Sequence, residues 1–280
     1  MRQSIIIPNR NYNAYLRHCL WSIHRSARIC GREDYEILVV DQGSLEAPAP
    51  TPDMRATVIS QAPEKPTPDG KRYFNKPRAQ NEGIRQATGE ILSFLDADAI
   101  VGERWMDCVD SLRRLGPRAL TKLCYRVRYL PGICLEAVDE ASPARRDEIV
   151  DGQEGWFSRY DTYQRAIECY GEVDKDPHNN PSGRKWDGNG IPEEPVFGNS
   201  QFSIPRTELG ELRFDEKYVG RGFEDLSMNR AIFREKGAAY RAGIVTDPKH
   251  ALLHIRNPSQ GELWGSGRQN SANFKRFHST

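Results

Sequence analysis

Apolar positions in the first part of the chain switch repeatedly between the strand and helix periods. Residues 4–8 (SIIIP) are a β-branched run closed by proline, which predicts a buried parallel strand leading into a loop at 9–13. Over 14–29, Leu16, Leu20, Ile23 and Ala27 recur at helical spacing, with Gly31 as a stop. Residues 36–41 (EILVVD) and 56–60 (ATVIS) predict the second and third strands. A short helix over 81–88, closed by Gly89, and a fourth strand over 90–96 (EILSFLD) follow. This order predicts an α/β fold with a mainly parallel central sheet flanked by helices.

The pattern then loosens. Residues 103–115 read as a helix, and 119–130 (ALTKLCYRVRYL) alternate as a strand. The stretch 174–195 is dense in Pro, Gly, Asn and charge and predicts a long mobile loop, with Trp186 as a lid residue or a buried anchor. Periodicity returns as a strand over 197–204, a helix over 223–236 stopped by Gly237, a last strand over 240–245 and a tail from 248 to 280. There is no internal repeat.

Composition narrows the classes. With 280 residues, 38% of them apolar, the chain can fill the core of one large α/β domain or two small ones. Forty basic residues against 39 acidic leave no net field to recruit nucleic acid or an anionic membrane. Basic clusters at 65–85 and 113–128 are solvated surface or a place for an anionic ligand. No stretch approaches the roughly 20 apolar residues of a membrane span, and the N-terminal apolar run is too short for a signal peptide. A cytoplasmic protein with no integral membrane segment is expected. Six cysteines without CxxC spacing read as reduced thiols.

In parallel sheets ligands bind outside the carboxyl ends of the strands, where residues 9–11, 41–44 and 96–98 fall. Asp96-Ala97-Asp98 offers two hard oxygen ligands at such an end, suited to Mg²⁺ or Mn²⁺ with diphosphate oxygens completing the shell. Taken alone, a solvated turn explains the same residues. Likewise Glu224 and Asp225 open a helix, where carboxylates commonly serve the helix dipole.

The segments SIIIPNRN, EILVVDQGS, PRAQNEGIRQATGE, ILSFLDADAIV and VGRGFEDLSMNR resemble, in order and spacing, the inverting family 2 glycosyltransferases with the GT-A fold. The resemblance covers roughly residues 4 to 235. It implies one GT-A domain: a nucleotide-sugar-binding half over 1–101, an acceptor-binding and catalytic half over 102–247, and a tail closing over the donor site. Pro8 and Arg10, Asp41 near the base, Arg78 and Asn81, Asp96 with Ala97, and Gly198 and Asn199 beside the sugar would bind the donor. Asp98 would hold the metal, with His254 ahead of His250 as a third ligand from the tail. Asp225 is favoured as the base that takes the acceptor proton and Glu224 as a ligand of the acceptor hydroxyl, although the sequence does not exclude the exchanged roles.

Gln42 departs from the family, many members of which carry a second acidic residue there, yet its amide offers a donor and an acceptor to a uracil edge. The resulting expectation is a nucleotide-sugar donor, UDP-sugar favoured, and a hydroxyl-bearing acceptor, a glycan first. For Lys76 the reading is surface charge lying on apolar neighbours. Trp156, Trp186 and Trp264 are weak candidates for stacking on an acceptor sugar.

Three rivals compete. A dinucleotide-dependent oxidoreductase needs GxGxxG after the first strand, which is absent. A haloacid-dehalogenase-like phosphatase would use the same Asp-x-Asp, but normally after its first strand. A non-catalytic nucleotide-sugar or glycan-binding module would keep the fold without needing Asp98 and Asp225 together.

Overall fold

A computed structural model describes residues 2–49, 55–66, 70, 72–113, 121–125, 127–130, 201–220, 222–237, 240, 242–245, 250, 252–255, 273 and 275–276. Its elements are β1 (Gln3–Asn9), α1 (Asn13–Ile29), β2 (Tyr35–Gln42), β3 (Ala56–Gln61), α2 (Lys76–Gln86), β4 (Ile91–Phe94), β5 (Ala99–Val101) and α3 (Trp105–Cys108). Then come β6 (Lys122–Tyr125), β7 (Val127–Leu130), β8 (Phe202–Pro205), α4 (Arg206–Leu209), α5 (Glu224–Lys236), β9 (Ala242–Val245) and β10 (Leu252–Ile255).

Seven strands make one sheet in the order β3-β2-β1-β4-β8-β6-β9. The first four pair in parallel, β8 runs antiparallel between β4 and β6, and β9 returns parallel to β6. β1 is buried along its whole length, as its unbroken apolar run demands of a central strand, whereas edge strand β3 has no fully buried position. One apolar cluster joins α1, with Leu16, Leu20 and Ile23, to one face of the sheet. A second, built on Ile6, Phe94, Phe202, Met228 and Ile232, joins α2 and α5 to the other.

Antiparallel β8 is fastened by a polar seam. Gln3 Nε2 donates to Ser93 Oγ at 2.8 Å, Ser93 and Ser203 hydroxyls are hydrogen-bonded, and the Tyr125 hydroxyl meets Ser203 Oγ at 2.5 Å. Slipping β8 by one residue would strand these buried groups.

Several expectations need correction. The helix expected at 81–88 starts at Lys76, because Asn75 caps it by accepting from the Arg78 backbone N–H at 3.1 Å and Pro77 favours a first turn. This helix lies hard on β1: a Cβ at Gly83 would stand 2.3 Å from Ile6 Cγ2. The helix over 103–115 is α3 followed by a 3-10 turn at Val109–Arg113. Met106, Val109 and Leu112 recur every three residues, so the tighter helix still buries them.

The strand over 119–130 is shared between two sheets, β6 in the large one and β7 in a second, three-stranded sheet of order β5-β10-β7. The strand at 240–245 is not the last, since β10 lies in the tail, antiparallel to β5 and parallel to β7. The strand over 197–204 is seen as β8. Gly198, Asn199, Trp156, Trp186, Trp264 and the 174–195 loop lie outside the described residues. Cys19, Cys30, Cys108 and Cys124 are free thiols. No helix among the described residues is long and apolar enough to cross a membrane.

Candidate active site

The carboxyl ends of β1 and β2 form one wall. Pro8, buried in β1, is paired in register with Val40, and Asn9 with Asp41. Asp41 closes a turn: its Oδ1 accepts from Asn9 Nδ2 at 2.7 Å and from Ser44 Oγ at 2.5 Å, and its Oδ2 from the Ser44 backbone N–H at 3.2 Å. Asn11, in left-handed backbone, ties this wall together by accepting from Leu45 N at 2.7 Å.

Arg10 stands beside it with Nε and Nη1 buried and without hydrogen-bond partners among the described residues. Burial and the neighbouring Arg72 depress its pKa, against the pull of Asp41 and Glu64. Arg78 Nη1 reaches Glu64 Oε1 at 3.0 Å. Arg10, Arg72 and Arg78 thus gather around a smaller acidic charge, an arrangement that an anionic ligand would complete.

Two residues expected at the nucleotide are committed elsewhere. Gln42 is wholly buried; its Oε1 accepts from Asn75 N at 2.7 Å and its Nε2 donates to Asn75 O at 3.5 Å. The amide therefore pairs with the start of α2 and is not offered to a uracil edge. Asn81 uses its whole amide on the 214–216 loop, donating to Phe214 O and Glu216 Oε1, each at 2.9 Å, and accepting from Phe214 N at 2.9 Å. Both act on the site by fixing what surrounds it.

Asp96, Ala97 and Asp98 form the turn from β4 to β5, closed by Ala99 N donating to Asp96 O at 3.1 Å. Ala97 and Asp98 are each 5% exposed. Register places the His254 backbone opposite Ala99, next to Asp98. Because β10 and β5 are antiparallel, earlier residues of the tail run past Val101, which carries His250 away from Asp98.

Lys76 was expected at the surface; it is 4% exposed. Its ammonium is 2.5 Å from Asp96 Oδ1 and 3.7 Å from Glu224 Oε1. Burial works against the cation, but Asp96, Glu224 and Asp225 outweigh it and hold the pKa above its ordinary value. Gln201, also missed, donates Nε2 to Asp96 Oδ2 at 3.2 Å. The one sequence signal for Lys76 is its place between a capping Asn75 and Pro77, which puts it on the first turn of a helix packed over the strand ends.

Glu224 and Asp225 arrive through strained backbone. Gly220 and Gly222 have positive φ, and Phe223, the N-cap of α5, is left-handed at φ 73° without a side-chain cap. Burial, then Asp225, pushes the Glu224 carboxyl up to about 7 despite Lys76. Its Oε2 is buried without a hydrogen-bond partner among the described residues. Asp225 is less buried; burial raises its pKa too, opposed by Lys76, the Leu226 N–H and Lys122. Its Oδ1 accepts from Leu226 N at 2.8 Å.

A mixed sheet with arginines near its strand ends, an Asp-x-Asp turn and a facing carboxylate pair is the arrangement of the GT-A fold. Residues 4–117 match the Glycosyl transferase family 2 model. An uncharacterized glycosyltransferase of Nostoc sp. is 35% identical over 100 residues, covering 36% of this chain and 29% of the relative.

Among solved structures, the glucosyl-3-phosphoglycerate synthase of Mycobacterium tuberculosis, with Mn²⁺, UDP and glucosyl-3-phosphoglycerate, matches at TM-score 0.53 and 17% identity over 99% of this chain and 79% of that one. S. aureus TarS 1-349 in complex with UDP matches at TM-score 0.51 and 14% identity, covering 93% and 62%. At such identities the likeness is one of fold. The matched stretch spans less than a third of the Nostoc relative. The phosphatase alternative falls with the fold, since Asp96 follows the fourth strand of a GT-A sheet.

Proposed function

We propose that the chain transfers a sugar from a nucleotide diphosphate sugar, UDP-sugar favoured, to an acceptor hydroxyl, with inversion and with Asp225 as base. The observation that carries this reading is the buried ammonium of Lys76, held between Asp96 on the donor side and Glu224 on the acceptor side. One cation joins the strand-end turn to the first turn of α5, so donor and acceptor carboxylates belong to one site.

Asp225 suits the base because it is more open than Glu224 and its Oδ2 accepts no hydrogen bond among the described residues. In the step, the acceptor oxygen bonds to the anomeric carbon as its proton passes to Asp225. The anomeric C–O bond to the diphosphate breaks on the opposite face, and the diphosphate leaves with the electron pair. Glu224, titrating near neutrality, can hold the acceptor hydroxyl as donor or acceptor of a hydrogen bond. Arg10 and Arg78 would hold the anionic part of the donor.

The residues fit a divalent ion. Asp98 is a buried carboxylate and the His254 backbone pairs with Ala99, the next residue, which supports Asp98 and His254 as the ligands; a carboxylate oxygen and an imidazole are donors that Mn²⁺ accepts. The ion would neutralise charge on the departing diphosphate. Mn²⁺ and UDP in the mycobacterial structure support both choices.

The test is a panel of nucleotide sugars, with and without Mn²⁺ or Mg²⁺, followed by nucleoside diphosphate release. Metal-dependent release from at least one donor, with donor binding weakened in Asp98→Asn, is expected. Donor binding without any release across a broad acceptor set would make the chain a binding module and overturn the proposal.

A further inference from the structure

Lys122 is the buried charge that the transfer scheme leaves unused. It stands in β6 with none of its surface exposed, on the same face of the sheet as Cys124, toward α5. Its ammonium donates to Asn229 Oδ1 at 2.5 Å and lies 3.9 Å from the centre of the Phe202 ring. Neither partner is charged, and no carboxylate forms an ion pair with Lys122 among the described residues. An ammonium in the interior costs several kcal/mol unless a charge balances it.

That charge is at hand on α5. Asn229 follows Asp225 by four residues, so the two share one face of the helix, a turn apart. Burial lowers the Lys122 pKa against the pull of Cys124 and Asp225, and Lys122 in turn opposes the burial that raises the Asp225 pKa. Lys76 reaches the carboxylate pair from α2, so cations from two different elements flank the first turn of α5.

We propose that Lys122 is a positioning residue for Asp225: clamped to Asn229, it seats the first turns of α5 on β6 and keeps the Asp225 carboxylate ionised for proton abstraction. The proposal rests on the reading of Asp225 as the base. The groups acting on Asp225 are Lys76 from α2, Asp96 from the turn after β4, Glu224 and the Leu226 N–H from α5 itself, and Lys122 from β6. Burial and Asp96 favour the neutral acid, as does a charged Glu224; only the two lysines and one N–H oppose them.

The test compares Lys122→Gln, which keeps a hydrogen-bond donor for Asn229 without the charge, with Lys122→Met and with Lys122→Arg. The full-length chain, ¹³C-labelled at aspartate carboxyls, is titrated by NMR, and Asp225→Asn assigns the resonance. The Asp225 midpoint is expected to rise by about one pH unit in the Gln and Met variants and to stay within a few tenths in Lys122→Arg. The acid limb of kcat should move up equally while donor KM stays within twofold.

A purely structural Lys122 would leave Lys122→Gln titrating like the unsubstituted chain, and that result overturns the proposal. Should Lys122→Met fail to fold, Lys122→Gln still decides. Absence of nucleoside diphosphate release from the unsubstituted chain would instead sink the transferase reading, and the NMR midpoint reports on Lys122 independently of it.

Discussion

The two walls of the site treat carboxylates in opposite ways. On the donor wall, Asp41 accepts three short hydrogen bonds from Asn9 and Ser44, so its charge is met by local N–H and O–H groups. On the acceptor wall, Glu224 has a buried oxygen with no hydrogen-bond partner among the described residues, and burial pushes both Glu224 and Asp225 toward the neutral form. The proposed donor wall is held by hydrogen bonds within the fold itself. The acceptor wall keeps charge in an unfavourable setting, and the raised proton affinity of its carboxylates is what the proposed general base would use.

The largest break in this contrast should come from Asp225→Asn. Donor binding should survive while kcat falls about a hundred- to ten-thousandfold; near-normal turnover would assign the base elsewhere. Next is Lys76→Met, which leaves half-buried Asp96 and buried Glu224 without their cation. A loss of about 3–5 kcal/mol in denaturant unfolding is expected, and a loss below 1 kcal/mol would deny Lys76 its bridging role.

Glu224→Gln sharpens the contrast through pH. The folded protein holds the Glu224 proton up to about 7, against an ordinary value of 4.5, so its stabilising contribution is full below 4.5 and is lost as pH climbs through 7. Relative to wild type, the variant should gain about 3 kcal/mol at pH 8 over its standing at pH 4. Parallel stability–pH curves would refute a raised Glu224. Asn81→Ala should be mildest, costing about 1–2 kcal/mol by freeing the 214–216 loop, with no change in the slope of stability against pH.

The first four strands, α1 and α5 were legible because each is a run whose apolar period matches its burial. So was the placing of Asp41 and Asp96-Ala97-Asp98 at strand ends, which follows from strand order alone. Helix α2 was misplaced by five residues because its start depends on one capping side chain, Asn75, rather than on periodicity. Strand β10 hid in the tail because it is only four residues long and broken by His254, and its existence depends on partners more than a hundred residues away.

The sequence by itself determined which residue types stand at the ends of which strands, since local periodicity and strand order suffice for that. Only the tertiary structure decided what those side chains do. Gln42 and Asn81 look like ligand-binding amides until folding brings Asn75 and the 214–216 loop within hydrogen-bond reach. Lys76 and Lys122 look like surface lysines until folding removes them from water, Lys76 beside Asp96 and Glu224 and Lys122 against Asn229. Burial and charge pairing are properties of three-dimensional neighbours, which a linear pattern does not contain.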